Sequence, residues 1–131
     1  WADAGIRVNM NVMPGAQYWD IWTKAPFGMT GWAHRPLGLM VLGLAYRSGV
    51  PWNESGYANP EFDRLLTQAE GILDVEERRV AIGELQKIMQ DDGPIIQPIW
   101  RNVFAAHTKQ LKGFSMHPTQ YIFFNELALE A

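Results

Sequence analysis

The residue types best suited to ligand contact occur together at residues 31–35. Gly31 permits close approach of the backbone, and Trp32 offers a broad flat surface. After Ala33, His34 and Arg35 supply hydrogen-bond donors. The segment follows a predicted strand, and open α/β sheets bind ligands outside the carboxyl ends of their strands. An equally open interpretation makes Trp32 a core residue and Arg35 one half of an exposed ion pair.

Residues of the kinds that catalyse reactions or bind metals form no recognisable motif. The three histidines, His34, His107 and His117, are far apart in sequence and show no His-x-x-x-His spacing. The serines lack the Gly-x-Ser-x-Gly context of an exposed nucleophile, and the chain has no cysteine. An enzyme would require Asp20, His34 and His107 to converge in one pocket, for which their spacing gives no reason. The sequence therefore predicts no catalytic residue, no metal site and no cofactor.

The composition predicts one compact domain. The chain has 131 residues, of which 47% are hydrophobic, and this is enough for a core. Its net charge of -3 and the lack of a basic cluster argue against nucleic acid as a partner. The apolar run at residues 37–46 is about half as long as the roughly 20 residues that cross a bilayer. We therefore expect a buried helix there.

Two amphipathic helices in series are the clearest structural signal. Asn59 can cap the first helix, and Pro60 suits its first turn. Apolar residues then recur at helical spacing as far as residue 73. Asp74 begins a capping-box pattern for the second helix, and Gly93 is expected to end it.

Strands are predicted on both sides of these helices. Alternating apolar and polar residues favour a strand at 6–12. The other expected elements are strands at 27–32, 95–104 and 121–124, a short strand or turn at 111–114, and a short helix at 16–24. This alternation of strands and helices favours an α/β layer.

Several short motifs also occur in a characteristic order. They are YANPEFDRLL at residues 57–66, AE at 69–70, ERR at 77–79, ELQ at 84–86 and DGPIIQPI at 92–99. In this order they resemble the C-terminal part of the extracytoplasmic solute-binding proteins of peptide-type ABC importers, bacterial solute-binding protein family 5. The resemblance implies an α/β fold, as a C-terminal lobe fragment of a type II periplasmic-binding-protein-like fold. Residues 1–101 would be part of the second ligand-binding lobe and include a crossing strand at 95–101, and residues 102–131 would return to the first lobe.

The resemblance also implies a function. Family members enclose a ligand between two lobes and present it to a permease, so the chain would come from a substrate-binding component and not from an enzyme. Its expected partners are a small-molecule or peptide ligand, ABC permease subunits in the membrane and the N-terminal lobe of the same parent protein. The implied location is periplasmic, or extracytoplasmic with a membrane anchor.

The same resemblance implies ligand contacts at two places. Family members carry a Gly-Trp pair where this chain has Gly31 and Trp32, and peptide-binding members commonly carry an acidic residue three positions after the Trp. Arg35 stands at that position, which reverses the charge and favours an anionic ligand group. On the crossing strand, Trp100 can stack on a ligand and Asn102 can donate and accept hydrogen bonds. A place inside the sheet explains Trp100 equally well.

A protein-interaction module is the alternative to a transport protein. The chain has six Trp, many for its length, and the paired helices with this Trp-rich surface could dock a protein partner. An exposed apolar patch of several hundred square ångströms would support that interpretation. A lobe separated from its mate would expose such a patch as well, so both interpretations stay open at this point.

Overall fold

The computed structural model describes residues 1–130 and is rich in helix. Its α-helices are α1 (Gly15–Ile21), α2 (Gly38–Ala45), α3 (Pro60–Glu70) and α4 (Val75–Asp92). Short 3₁₀ turns lie at Ala2–Ala4 and Phe124–Glu126, and two strands, β1 (Leu111–Lys112) and β2 (Ala128–Leu129), pair antiparallel. Regular structure is therefore concentrated between residues 38 and 92.

Both long helices begin where the sequence predicts, because their caps are local. The Asn59 side chain accepts hydrogen bonds from two backbone N–H groups of the first turn of α3, at 2.9 and 3.2 Å. The Asp74 side chain does the same for α4, with both bonds at 2.9 Å. At the far end of α4, Gly93 has a left-handed φ of 63°, and its N–H donates to the carbonyl oxygen of Met89. The predicted caps and the predicted end of α4 are confirmed.

The core forms where α2, α3 and α4 pack together. Phe62 and Leu66 of α3 and Leu85 of α4 are fully buried, and Leu39 of α2 is buried with them. The apolar run at 37–46 therefore forms a helix, as predicted, but one that is buried on one face only, because Leu37, Met40 and Leu44 are exposed. Full burial of an apolar side chain of this size stabilises a fold by about 1.5–3 kcal/mol. This three-helix unit, residues 38–92, is what holds the structure together.

Polar side chains join the helix ends around this core. The Arg47 guanidinium, just after α2, donates to both carboxylate oxygens of Glu70 on α3, at 2.8 Å each. On the other side of the unit, the Tyr57 hydroxyl and the Asn59 amide donate to one carboxylate oxygen of Asp92, at 2.6 and 2.8 Å. These two sets of bonds fix α3 against α2 and α4.

Four predicted strands are wrong. Residues 6–12, 27–32, 95–104 and 121–124 form no strand in the described chain, and residue 124 begins a 3₁₀ turn instead. A strand needs a neighbour to satisfy its backbone N–H and C=O groups, and within residues 1–130 only β1 and β2 provide one for each other. The large apolar side chains that are exposed in these segments include Met10, Val12, Ile96, Ile99 and Phe104.

The predicted α/β layer does not form within residues 1–130, because the strands there are a single pair of two residues each and the core is formed by α2, α3 and α4. Helix α1 lies within the predicted segment 16–24 except for its first residue, and it ends earlier, at Ile21. Strand β1 confirms the short strand predicted at 111–114. The predicted crossing strand at 95–101 belongs to the incorrect set, because no other strand lies beside it in residues 1–130. The division of the chain into 1–101 and 102–131 stays a prediction.

Candidate functional site

A hydrogen-bonded cluster surrounds the Glu54 carboxylate. The Trp32 indole Nε1 donates to Glu54 Oε1 at 3.3 Å, and the Thr30 hydroxyl donates to Glu54 Oε2 at 2.5 Å. The Tyr18 hydroxyl oxygen lies 2.7 Å from the Thr30 hydroxyl oxygen. Since Thr30 gives its one hydroxyl proton to Glu54, Tyr18 donates to Thr30. These four residues, Tyr18, Thr30, Trp32 and Glu54, are called the Glu54 cluster below.

The loop between α2 and α3 positions the Glu54 cluster. The Asn53 side-chain amide donates to the carbonyl oxygens of Arg47 and Tyr57, at 3.1 and 2.7 Å. Its Oδ1 accepts from the Tyr57 backbone N–H at 3.1 Å. These bonds tie the two ends of the loop to its middle, so the residue after Asn53, Glu54, is held in one place.

Two indole rings form the apolar side of the cluster. The ring centroids of Trp32 and Trp52 are 5.9 Å apart, with their planes inclined at 59°. Trp32 is half-buried and packs against the core, whereas Trp52 is 47% exposed. The pair therefore extends from the core to the surface beside the Glu54 carboxylate.

The Glu54 carboxylate has no cation in contact with it within residues 1–130. The ion pairs found there join Arg47 to Glu70, Arg64 to Glu61, Arg79 to Glu76 and Lys112 to Glu130. The partners of Glu54 are instead a neutral hydroxyl and a neutral indole. Burial, helped by the negative charge of Glu54, raises the pKa of the Tyr46 hydroxyl from 10.0 to about 12. The negative charge of Glu54 thus acts on a hydroxyl group of the buried residue Tyr46.

The predicted contact segment 31–35 lies at the surface, next to this cluster. Gly31, Ala33 and His34 are exposed, and Arg35 is half-buried. The Arg35 guanidinium donates to the carbonyl oxygen of His34 at 3.4 Å and forms no ion pair in the described part of the chain. The alternative interpretation made Trp32 a core residue and Arg35 part of an ion pair. Packing of Trp32 against the core is confirmed. The ion pair of Arg35 is not present in residues 1–130. Ligand contact by this segment stays a prediction.

The two predicted contact segments meet at Gly31. A Cβ atom added to Gly31 would lie 3.6 Å from Arg101 Nη2, so the Arg101 guanidinium lies over the Gly31 backbone. On either side of Arg101, Trp100 is 90% exposed and Asn102 is exposed. The interpretation that packs Trp100 inside a sheet is therefore wrong for this structure. Ligand contact by Trp100 and Asn102 stays a prediction.

Sequence reasoning missed Glu54 and also missed the contact between Arg101 and Gly31. Residues 49–56 have the composition of a loop, and composition does not show that Asn53 holds Glu54 beside Trp32. A signal was available in the Trp-Asn-Glu run at 52–54, because Asn commonly organises turns through its side chain. Arg101 gave no comparable signal, since its contact with Gly31 joins residues 70 positions apart in the sequence.

Two depressions lie along α2 and not at the Glu54 cluster. Both are lined by Leu39, Met40 and Glu70, and their volumes are about 120 and 280 Å³. Ligand pockets commonly measure about 300–1,000 Å³ and enclose most of the ligand. Neither depression reaches that size, and neither includes a residue predicted to contact ligand.

Residues 1–130 contain neither a metal-binding cluster nor a membrane-spanning helix. No three His, Asp or Glu side chains there are placed to hold a metal ion. No helix in that range combines the length and the apolar character needed to span a bilayer.

Comparison with known proteins indicates a class of solute-binding proteins. Two curated relatives are both named as dipeptide-binding proteins, which confirms the resemblance to family 5 solute-binding proteins. Their names describe binding proteins and not enzymes. No family model matches the chain significantly, and no solved structure does so either.

The particular relatives are bacterial. The chain is 31% identical over 78 residues to the dipeptide-binding protein DppE of Bacillus subtilis (strain 168). The aligned residues make up 60% of this chain and 14% of DppE. It is 34% identical over 79 residues to the probable D,D-dipeptide-binding periplasmic protein DdpA of Escherichia coli (strain K12). This alignment includes 60% of this chain and 15% of DdpA. The chain thus matches only about one seventh of the length of these relatives.

Proposed function

We propose that this chain is part of the substrate-binding component of an ABC importer. The observation that carries the proposal is the similarity to two dipeptide-binding proteins over 60% of the chain. The parent protein would capture a peptide or a related small solute outside the cytoplasm, in the periplasm or at a membrane anchor. It would deliver the solute to permease subunits in the membrane without changing it chemically.

Within the parent, the chain would form part of the C-terminal lobe of a type II periplasmic-binding-protein-like fold. Residues 1–101 would belong to that lobe, and residues 102–131 would return to the N-terminal lobe. The exposed apolar side chains at 6–12 and 95–104 support this assignment, because these segments have strand-like composition and no strand beside them in residues 1–130. The rest of the parent would cover these side chains and remove them from water.

Capture would depend on closure of two lobes around the solute. A ligand shifts a protein toward a closed state only if it binds that state more tightly than the open one, and this requires contacts from both lobes. A single lobe supplies one set of those contacts. The isolated chain should therefore bind a solute weakly or not at all.

Arg35 is the residue that we assign to an anionic group of the solute. Arg35 as a residue is half-buried, and its guanidinium has no carboxylate in contact within residues 1–130 and can donate two parallel hydrogen bonds to a carboxylate. The other residues assigned to the same ligand-facing surface are Gly31, Trp32, Ala33, His34, Trp100 and Asn102.

The Arg35→Ala variant of the full-length parent tests this assignment. Its affinity for an anionic solute, measured by calorimetry, should fall at least tenfold, which corresponds to about 1.4 kcal/mol. The matched control is Arg79→Ala, since Arg79 is an exposed arginine whose partner lies on the same helix. If Arg35→Ala binds as tightly as this control, Arg35 is not in the site.

The proposed function itself is tested by mass spectrometry of small molecules released from the full-length protein purified from its native host. A peptide or an amino acid derivative with an anionic group is the expected product. If no such solute is released and the protein elutes in size-exclusion chromatography as a complex with another protein, the interaction module is the better account.

A further inference from the structure

We infer that the Glu54 cluster positions Trp32 for binding. It holds the indole ring in one orientation before a solute arrives, and Glu54, Thr30 and Tyr18 affect binding only through that ring. The inference rests on the proposed function, in which Trp32 contacts the solute. It adds residues that do not touch the solute to those on which binding depends.

The first support is the way in which the indole is fixed. Its Nε1–H donates to Glu54 Oε1 at 3.3 Å, while the ring packs against the core and its centroid lies 5.9 Å from that of Trp52. The hydrogen bond sets the direction of the ring edge, and the packing limits the tilt of the ring plane. A side chain that is already immobile loses no further freedom on binding, so a fixed Trp32 binds a solute more tightly than a mobile one.

The second support is that Glu54 is itself held at two points. Its Oε2 accepts from the Thr30 hydroxyl, whose oxygen lies 2.7 Å from the Tyr18 hydroxyl oxygen. On the backbone side, the preceding residue, Asn53, closes the loop with three hydrogen bonds. The cluster residues are all half-buried, so water competes for these bonds less than it does at an open surface. The carboxylate therefore cannot turn away from Trp32 without the loss of other bonds.

The third support is Gly28, which lies against Tyr18. A Cβ atom added to Gly28 would lie 2.9 Å from the Tyr18 hydroxyl oxygen, which is inside van der Waals contact. Gly28 is not among the glycines with a left-handed φ, so its backbone conformation alone does not require glycine. The missing side chain instead leaves room for the Tyr18 hydroxyl to reach Thr30.

The bonds of the cluster do not depend on the charge of Glu54. In Glu54→Gln, the amide oxygen can accept from the Trp32 indole, and the amide nitrogen can donate to the Thr30 hydroxyl oxygen. Thr30 then donates to Tyr18, whose own proton turns to solvent. Glu54→Leu has a similar size and makes neither bond. The two variants therefore separate the positioning of Trp32 from a direct contact between the carboxylate and a solute.

A double-mutant cycle on the full-length parent protein tests whether Glu54 acts through Trp32. The probe is L-alanyl-L-alanine, and its affinity is measured by calorimetry. Glu54→Leu should weaken binding about three- to tenfold, because binding must now immobilise the freed ring. Glu54→Gln and the control Glu76→Leu, an exposed position on α4, should both bind as the wild type does. In a Trp32→Ala background, Glu54→Leu should have no further effect. A loss that persists in that background, or Glu54→Gln that binds as weakly as Glu54→Leu, would overturn the inference.

A second measurement needs no solute. In a proton–nitrogen correlation spectrum of the parent labelled at its tryptophan indoles, the Trp32 resonance is the one that Trp32→Phe removes. In Glu54→Leu it should move upfield, and its N–H should exchange faster with water, whereas Glu54→Gln should restore both values. Gly28→Ala should shift it by less, and Gly38→Ala, where an added Cβ meets nothing within 4 Å, should leave it in place. An unchanged Trp32 resonance in Glu54→Leu refutes the inference. Because no solute is present, this result stands even if the proposed function fails.

Discussion

Leu85 is the side chain on which the packing of α4 should depend most. It is fully buried, and it lies in the core with Phe62 and Leu66 of α3. Leu85→Ala removes three carbon atoms from a site that is closed on all sides. We expect the helices to remain, because their caps are local, and the free energy of unfolding to fall.

The size of the loss follows from the burial of Leu85. Truncation of a buried leucine to alanine costs about 2–5 kcal/mol, through the lost transfer energy and the cavity that is left. The total stability of a small domain is about 5–15 kcal/mol, so this is a large fraction of it. With a denaturant dependence of about 1–3 kcal/mol per molar urea, the unfolding midpoint should fall by about 0.7 M or more. The measurement is urea unfolding of the chain, followed by circular dichroism at 222 nm.

Leu73→Ala provides the matched control. Leu73 is 92% exposed in the link between α3 and α4, and the same three carbon atoms are removed. Surface substitutions of this kind change stability by about 0.5 kcal/mol or less. If both variants lowered the midpoint equally, burial of Leu85 would not hold α4 in place, and the assignment of the core to the three-helix unit would be refuted.

Two further predictions concern backbone strain and ionisation. Gly93→Ala should lower the free energy of unfolding by about 1 kcal/mol, because its φ of 63° disfavours a side chain. Gly83→Ala, inside α4 and with nothing near the added Cβ, should raise it by about 0.5–1 kcal/mol, and urea unfolding measures both. The pKa values of the Tyr46 and Tyr57 hydroxyls are raised from 10.0 to about 12, chiefly by burial. The pKa of each tyrosine hydroxyl is therefore higher in the folded than in the unfolded chain. The two hydroxyls contribute fully to the stability of the fold below about pH 10, and this contribution is lost as the pH rises toward 12.

The outcomes that contradict these predictions are specific. An unchanged Gly93→Ala would show that α4 does not end at a left-handed Gly93, and a destabilised Gly83→Ala would show that Gly83 does not lie on an open face of α4. For the tyrosines, the double variant Tyr46→Phe with Tyr57→Phe should lose less stability than the wild type between pH 10 and 12. An identical loss in both proteins would assign the alkaline transition to other groups.

The helices were predictable from sequence because their signals are local. Asn59 and Asp74 cap helices through backbone N–H groups two and three residues away, and Gly93 ends α4 through a bond to a residue four positions earlier. Such contacts are present in any window of a few residues. The buried face of α3 follows in the same way, from the spacing of Phe62 and Leu66.

The strands were not predictable in this way because a strand depends on a remote partner. The alternation at 6–12 is real, yet no other segment of residues 1–130 lies beside it to form a ladder. Strand β1 does form, because β2, which follows it in the sequence after residues 113–127, pairs with it. Sequence periodicity gives the face that a strand would bury but does not supply the neighbour.

The candidate site was predictable in part. Gly31, Trp32 and Arg35 stand out by their types, and the structure places them at one surface. Glu54 did not stand out, because its importance comes from Trp32 and Thr30, which are 22 and 24 residues away. Contacts over such distances depend on how α2, the helix between these residues, packs.

The bonds at Asp92 have a mechanical consequence. Asp92 is the last residue of α4, and after the turn at Gly93 the backbone leaves the three-helix unit. Tyr57 and Asn59 hold the Asp92 carboxylate from the start of α3, so a pull on the departing segment is shared between two helices and does not simply unwind the last turn of one. If that segment connects two lobes, as proposed, the helical unit should swing as a single rigid body when they come together.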